Sequence, residues 1–264
     1  MKYYTIKPTE KLADYVRYFW IFEGSATDNQ PYIHRTLANG CPELLFHYQG
    51  TFNELINDKF QTSFITGIHG QTSQHRRFIT KKEFGIFGAY LYPHAVSVLF
   101  GLPAIELTNQ LPDLMSILKK SDKDIEVKIL GAKDNEQRLS IITHFLEQKV
   151  KKFERPEIAF AVKSILNSNG QINIKQLSVN CNLSLRQFER KFKEQTGFNP
   201  KLFARIIRFN STIQKSNLTN SLTEIAYDFG YYDQSHFIQD FKEFSGYNPK
   251  TYFSGKANEL LYTE

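Results

Sequence analysis

A chain of 264 residues, 41% of them apolar, is long enough for two domains with cores of their own. Its two cysteines, Cys41 and Cys181, exclude a disulfide framework and a four-cysteine zinc site, and no apolar run reaches the length of a membrane span. The net charge of +6 is unevenly spread: residues 171–220 hold nine bases and two acids, residues 221–264 hold three bases and seven acids, and residues 1–154 are nearly balanced.

The start of the chain, from Met1 to Pro8, lacks the apolar core and small-residue cleavage site of a signal peptide, so the expectation is a soluble, cytoplasmic protein. The first ninety residues read as β-rich. Tyr15–Phe22, Glu43–Tyr48, Phe64–Gly67, Arg76–Ile79 and Phe84–Leu91 are aromatic or β-branched runs, separated by Gly24, Asn39-Gly40, Gly50, Gly67, Gly70 and Gly85. Short strands at this spacing predict a sandwich or a small barrel. From Pro93 the pattern turns helical, over Pro93–Phe100, Leu111–Lys119, Ile125–Leu130 and Asn135–Val150. The last of these places Leu139, Ile142, Phe145, Leu146 and Lys149 along one face at spacings of three and four. Lys149–Arg155, followed by Pro156, reads as the linker. The expected organisation is therefore 1–92 β-rich, 93–152 helical extension and connector, and 156–253 an all-α unit.

The C-terminal third repeats itself. Shifted by 49 residues, Phe188-x3-Phe192-Lys193-Glu194-x2-Gly197-x-Asn199-Pro200-Lys201 falls on Phe237-x3-Phe241-Lys242-Glu243-x2-Gly246-x-Asn248-Pro249-Lys250, with eight of fourteen positions identical. Before the first copy, Asn173 can cap a short helix, Ile174–Asn180. Ser184 follows a three-residue turn and can cap a second helix to about Thr196, stopped by Gly197. Before the second copy, Ser221-x-x-Glu224 is a capping box on a helix Leu222–Phe229. Asp233 then caps a helix to about Phe244, stopped by Gly246. Short helix, tight turn and capped longer helix make a helix-turn-helix, whose second helix enters a DNA major groove. Between the copies, Pro200 to about Ser216 reads as a single helix of roughly 25 Å. A rod of that size could hold two such helices about one DNA turn, roughly 34 Å, apart.

Ser184-x3-Phe188-x-Arg190-x-Phe192-Lys193-x3-Gly197-x2-Pro200, and then Ile225-Ala226-x3-Gly230-Tyr231-x-Asp233-x-Ser235-His236-Phe237-x3-Phe241-Lys242-x3-Gly246-x2-Pro249-x2-Tyr252, resemble the tandem helix-turn-helix domain of AraC/XylS-type bacterial transcription regulators. More loosely, Tyr15-Val16-x2-Phe19-Trp20, Gly40-x2-Glu43-Leu44-Leu45-Phe46 and Tyr92-Pro93 are similar to the β-rich sensor or dimerisation domains that precede this module. The resemblance implies an α+β two-domain fold and a transcription factor of the AraC family, an activator or a repressor. It would be bound to double-stranded promoter DNA in the cytoplasm, with RNA polymerase as a partner, and open to a small-molecule effector and to homodimer formation.

With Phe188 and Phe192 buried, a helical wheel turns Arg186, Arg190 and Lys193 outward, with Gln187 alongside. Arg186 and Arg190 are expected to read bases, flanked by Glu189, while Lys191 and Lys193 contact phosphates. The same shift assigns Ser235, His236 and Gln239 to base reading and Lys242 to phosphate. It also exchanges Arg186 for Ser235, Arg190 for Gln239 and Lys191 for Asp240. The first unit is therefore expected to supply most of the affinity, and the acidic second unit little of it, or to face RNA polymerase. Arg205 or Arg208 on the connecting helix is a candidate for backbone contacts, with at least one of the two expected to pack its stem against the protein.

Other chemistry finds less support. The histidines His34, His47, His69, His75, His94, His144 and His236 form no His-x-His pair, so neither a metal nor a cofactor is expected. Cys41, between Gly40 and Pro42, is either a buried loop residue or a thiol sensor. The aromatic residues of Tyr15–Phe22 and Phe84–Phe100 form a core or line a ligand cavity. No nucleophile elbow, P-loop, dinucleotide fingerprint or zinc-protease signature occurs, and the chain is expected not to be an enzyme. The alternative is an enzyme or ligand carrier whose helical tail docks a protein.

Overall fold

The computed structural model describes residues 1–57, 59–150, 155–215 and 221–254. All five expected β runs are strands, and four further strands complete two antiparallel sheets. The first sheet has the order β1 (Lys2–Ile6), β2 (Val16–Gly24), β9 (Phe84–Leu91), β4 (Glu43–Gln49) and β7 (Thr66–His69). The second has the order β3 (Tyr32–Thr36), β8 (Arg76–Thr80), β5 (Asn53–Ile56) and β6 (Lys59–Thr62). The strands missed by sequence reading lie mostly at the edges: β1 and β6 are edge strands, and all four residues of β6 are exposed. Such strands bury too little to show an apolar pattern.

The period-two alternation of β2 and β9 divides two cores between opposite faces of the first sheet. Phe19, Ile21, Phe87, Ala89 and Leu91 point to one core, whereas Trp20, Phe22, Phe84, Ile86 and Tyr90 point to an aromatic core that also holds Tyr32, Phe52 and Phe78. Both faces of these strands are covered, so they read as continuous apolar runs. The first core is closed by α1 (Val96–Phe100), α2 (Leu114–Ile117), α3 (Asp124–Leu130) and α4 (Asn135–Lys149). The expected helix Leu111–Lys119 shortens to the single turn of α2, because Pro112 precedes it and Asp113 caps it by accepting from the Met115 amide at 2.7 Å. Of the expected linker, residues 151–154 lie outside the described residues.

The remaining helices are α5 (Pro156–Asn167), α6 (Ile174–Asn180), α7 (Leu185–Thr196), α8 (Pro200–Lys215), α9 (Leu222–Asp228), α10 (Gln234–Ser245) and α11 (Pro249–Phe253). They share a third core, which also takes in Ala38 from the β-rich part. Sequence reading did not assign α5, although its Ile158, Val162 and Ile165 are fully buried there.

The β-rich part docks on the helical part at equivalent points of the repeat. Gly197 and Gly246 end α7 and α10 in the left-handed conformation, with φ of 82° and 75°. A Cβ at Gly197 would overlap Gln71 Nε2 and Thr108 Oγ1. Gln71 is pinned there, donating to the Ala104 carbonyl at 2.5 Å and to Thr108 Oγ1 at 3.0 Å. A Cβ at Gly246 would sit 2.5 Å from His75 Cε1 and 2.7 Å from Arg35 Nη1. Nearby, Arg35 donates to the Ser245 carbonyl at 3.1 Å and the Ala38 amide to the Phe244 carbonyl at 2.9 Å. One β-rich loop thus touches the C-terminal caps of both helix-turn-helix units. Gly197→Ala is expected to cost at least about 1–2 kcal/mol from backbone strain alone, with the clash adding to it. Thermal unfolding reads this as a lowered midpoint, and an unchanged midpoint would contradict the packing.

Candidate nucleic-acid interface

Each helix-turn-helix begins with a side chain satisfying free helix amides. In the first, Asn173 caps α6 by accepting from the Gln176 amide at 3.0 Å. Ser184 and Gln187 form a reciprocal capping box at the start of α7: the Gln187 amide donates to Ser184 Oγ at 3.4 Å, and the Ser184 amide to Gln187 Oε1 at 3.2 Å. In the second unit, Ser221 and Glu224 form the same box on α9, at 3.2 and 2.7 Å. Asp233 caps α10 by accepting from the His236 amide at 2.8 Å. Such caps contribute about 1 kcal/mol each and fix where the longer helix starts.

Between the units, α8 divides its phenylalanines. Phe203 packs on Phe192 of α7, with ring centroids 5.5 Å apart, while Phe209 packs on Phe241 and Phe244 of α10 at 5.3 and 5.5 Å. Phe188, Phe192, Phe237 and Phe241 are all fully buried. Burying these rings sets the opposite faces of α7 and α10 toward solvent. Arg186, Gln187, Glu189, Arg190 and Lys193 on α7 are exposed, as are Ser235, Gln239 and Lys242 on α10. Gln187 spends its side-chain oxygen on the cap, leaving its amide protons as the outward group.

Four expected contacts sit differently. Lys191 is half-buried, with its ammonium 3.5 Å from Glu157 of α5. His236 is half-buried, its Nε2 3.8 Å from Asp240, and its ring meets Tyr231 edge-on at 5.6 Å. Arg205 and Arg208 both turn into the helical part. Arg205 donates to Asp240 Oδ1 from Nε at 3.2 Å and from Nη2 at 2.7 Å, and to Glu243 at 2.7 Å. Burial disfavours the Arg205 charge, but the bonds from Asp240 and Glu243 outweigh it and hold its pKa above the ordinary value. Arg208 donates to the Gly170 carbonyl at 3.2 Å and covers the Tyr231 ring at 5.3 Å.

Placing Lys191 and Asp240 side by side explains the charge reversal of the repeat. In the first unit Lys191 meets Glu157 on α5, the helix before that unit, and in the second Asp240 meets Arg205 on α8, the helix before that one. The same helix–helix contact is made with its signs exchanged. Asp240 is fully buried, so its charge is not part of the surface a polyanion meets.

Two cavities lie in and beside the β-rich part. One, of about 460 Å³, is walled by Arg17, Asn39, Cys41 and Tyr90 on one side and by Asn169, Ile207, Asn210 and Ser211 on the other. A second, of about 140 Å³, lies between the sheets among Trp20, Phe22, Phe52, Phe64 and Phe78. His34, Thr36, Glu43 and His69 line both. Burial pushes the Glu43 carboxyl up to about 7, against bonds from Asn39 and Trp20. Cys41 is buried 3.9 Å from Arg17 Nη1, and burial raises its thiol pKa despite that guanidinium, which is the setting of an unreactive thiol. Among the described residues no group of three or more histidine, cysteine and acidic side chains is placed to hold a metal ion, and no helix is long and apolar enough to cross a membrane.

Residues 177–255 match a family described as a helix-turn-helix domain, and residues 4–113 match a domain of unknown function, DUF6597. The chain is 25% identical over 154 residues to the HTH-type transcriptional regulator MtrA of Neisseria gonorrhoeae, a match covering 56% of this chain and 45% of that protein. It thus spans about half the length of that relative. Among solved structures it is similar to ToxT from Vibrio cholerae O395, at 13% identity over 90% of this chain and 97% of that one, with a TM-score of 0.45. The fatty-acid-bound ToxT of V. cholerae strain SCE256 gives 14% identity over 88% of this chain and 93% of that one, with a TM-score of 0.44.

Proposed function

We propose that the chain is a sequence-specific DNA-binding regulator of the AraC/XylS type, acting on promoter DNA in the cytoplasm through its helix-turn-helix domain. It works by binding rather than by catalysis. The observation that carries the reading is the pair of capped, solvent-facing helices joined by α8, whose Phe203 and Phe209 tie it to both units. Arg186 and Arg190 read bases from α7 with Glu189 and Gln187 beside them, and Lys193 holds a phosphate. Ser235, His236 and Gln239 face the second groove segment from α10, with Lys242 on a phosphate. Lys191 has a lesser part in phosphate binding, since Glu157 already takes its charge.

Residues 156–253 form the DNA reader, residues 1–92 the sensor or dimerisation domain and residues 93–152 the connection between them. The two adjoining cavities favour a small effector with an apolar body among the inter-sheet aromatics and a polar end toward Arg17 and Asn39. Such a molecule changes DNA binding only if it prefers one arrangement of the two parts over another. A homodimer and contact with RNA polymerase fit the same role.

The test is selection from random duplex DNA by the full-length protein at physiological salt. Enrichment of a motif with two separated subsites is expected. Recovery of unrelated sequences with equal affinity would overturn the reading.

A further inference from the structure

The two helix-turn-helix units differ in length at one point. Their first helices are capped at the C-terminus by Cys181 and Phe229, and the left-handed turn residues are Asn182 and Gly230, 48 residues apart. The next residues also correspond: the Leu183 amide donates to the Ser178 carbonyl at 3.0 Å, and the Tyr231 amide to the Ala226 carbonyl at 2.9 Å. From the caps Ser184 and Asp233 onward the offset is 49. The added residue is Tyr232. It has no counterpart in the first unit, and its side chain is 87% exposed, while neighbouring Tyr231 is buried in the core.

Its place gives it meaning. Tyr232 stands immediately before the cap of α10, at the end of the helix that contacts DNA in a helix-turn-helix. Around it, the acids of the second unit are largely engaged. Glu224 bonds the Ser221 amide, Asp233 caps α10, and Asp240 and Glu243 hold Arg205. Asp228 stays exposed, but the groups facing outward along the start of α10 are Ser235 and then Gln239, with the cation Lys242 nearer the far end of the helix, so a contact at the start of α10 comes from an uncharged donor. A tyrosine hydroxyl donates to phosphate, and its ring covers the adjoining sugar.

We propose that Tyr232 is the anchor of the second unit on DNA, its hydroxyl donating to a backbone phosphate at the mouth of the groove that α10 enters. The inference rests on the DNA-binding reading above. It gives the second unit a contact that adds no cation to the interface, beside the phosphate contact of Lys242.

The experiment measures affinity of full-length wild type, Tyr232→Phe, Tyr232→Ala and Arg190→Ala for the selected site, and for that site with the second subsite scrambled, across several salt concentrations. Tyr232→Phe and Tyr232→Ala should each bind the intact site about tenfold more weakly. The slope of log affinity against log salt should stay that of wild type, because no cation is removed. On the scrambled site the tyrosine variants and wild type should converge. Wild-type affinity in Tyr232→Ala, or an equal loss on intact and scrambled sites, would overturn the assignment while Arg190→Ala still weakens binding. No sequence preference in wild type would instead remove the DNA-binding reading itself. Since the side chain is exposed, unfolding midpoints equal to wild type are expected for both tyrosine variants.

Discussion

Replacing Arg190 with alanine is expected to weaken binding to the selected DNA site by about 1–3 kcal/mol and to relax base preference at one position of the first subsite. Arg190 is exposed on α7, one turn beyond Arg186 and on the face opposite the buried Phe188 and Phe192. A guanidinium there can bond a guanine edge with two parallel donors, and removing it deletes one cation from the interface. The salt slope should therefore flatten by about one. Gln239→Ala, at the repeat-equivalent position, removes no charge and is expected to lose less and leave the slope unchanged. Fluorescence anisotropy across a salt series separates the two, and equal losses with equal slopes would contradict an unequal division of work between the units.

Acidification is expected to unfold the protein between about pH 6 and pH 4.5, through the β-rich part. Burial lowers the pKa of His34, His47 and His94 to about 4 and of His69 to about 3, with the Arg76 and His34 charges adding to the effect on His69. In the folded chain these rings stay neutral down to those values, whereas in the unfolded chain they take up protons below about 6.5. The unfolded state then binds more protons, and each histidine removes up to about 1.4 kcal/mol of stability per pH unit as pH falls below 6.5. Glu43 acts in the opposite sense. Its folded value of about 7 lies above the ordinary 4.5, so it adds stability as pH falls from 7 to 4.5. Four histidines outweigh one carboxyl, and the net loss per pH unit is a large part of an ordinary folding free energy of about 5–15 kcal/mol. Unfolding midpoints recorded from pH 7.5 to 4.5 should fall steeply below 6.5. A midpoint that stays level to pH 5 would contradict the burial of these rings.

The repeat was legible in the sequence because packing and capping demand the same residues twice. Phe188 and Phe192 recur as Phe237 and Phe241, all fully buried, and Gly197 recurs as Gly246, both left-handed. The second duty of those glycines was hidden by the first. A helix-capping glycine already accounts for itself, so nothing in the pattern announced that Gln71 and His75 would press against them. Partners distant in sequence were equally silent. Lys191 and Arg205 read as cations available to DNA, but Glu157 and Asp240, 34 and 35 residues away, reclaim them. Tyr232 escaped for a subtler reason: a shift of 49 aligns the longer helices and conceals the change to 48 before them. In the β-rich part, β2 and β9 were plain because both of their faces are covered, while the exposed edge strand β6 left no apolar trace.

The central claim is that two units on one rigid helix grip adjacent groove segments of the same DNA face. Hydroxyl-radical footprinting of the full-length protein on its selected site tests this most directly. Two protected patches are expected on one face of the duplex, centred about one helical turn (roughly 10 base pairs) apart, with the patch under the second unit fading in Tyr232→Ala. A single patch, or even protection along the whole fragment, would contradict it.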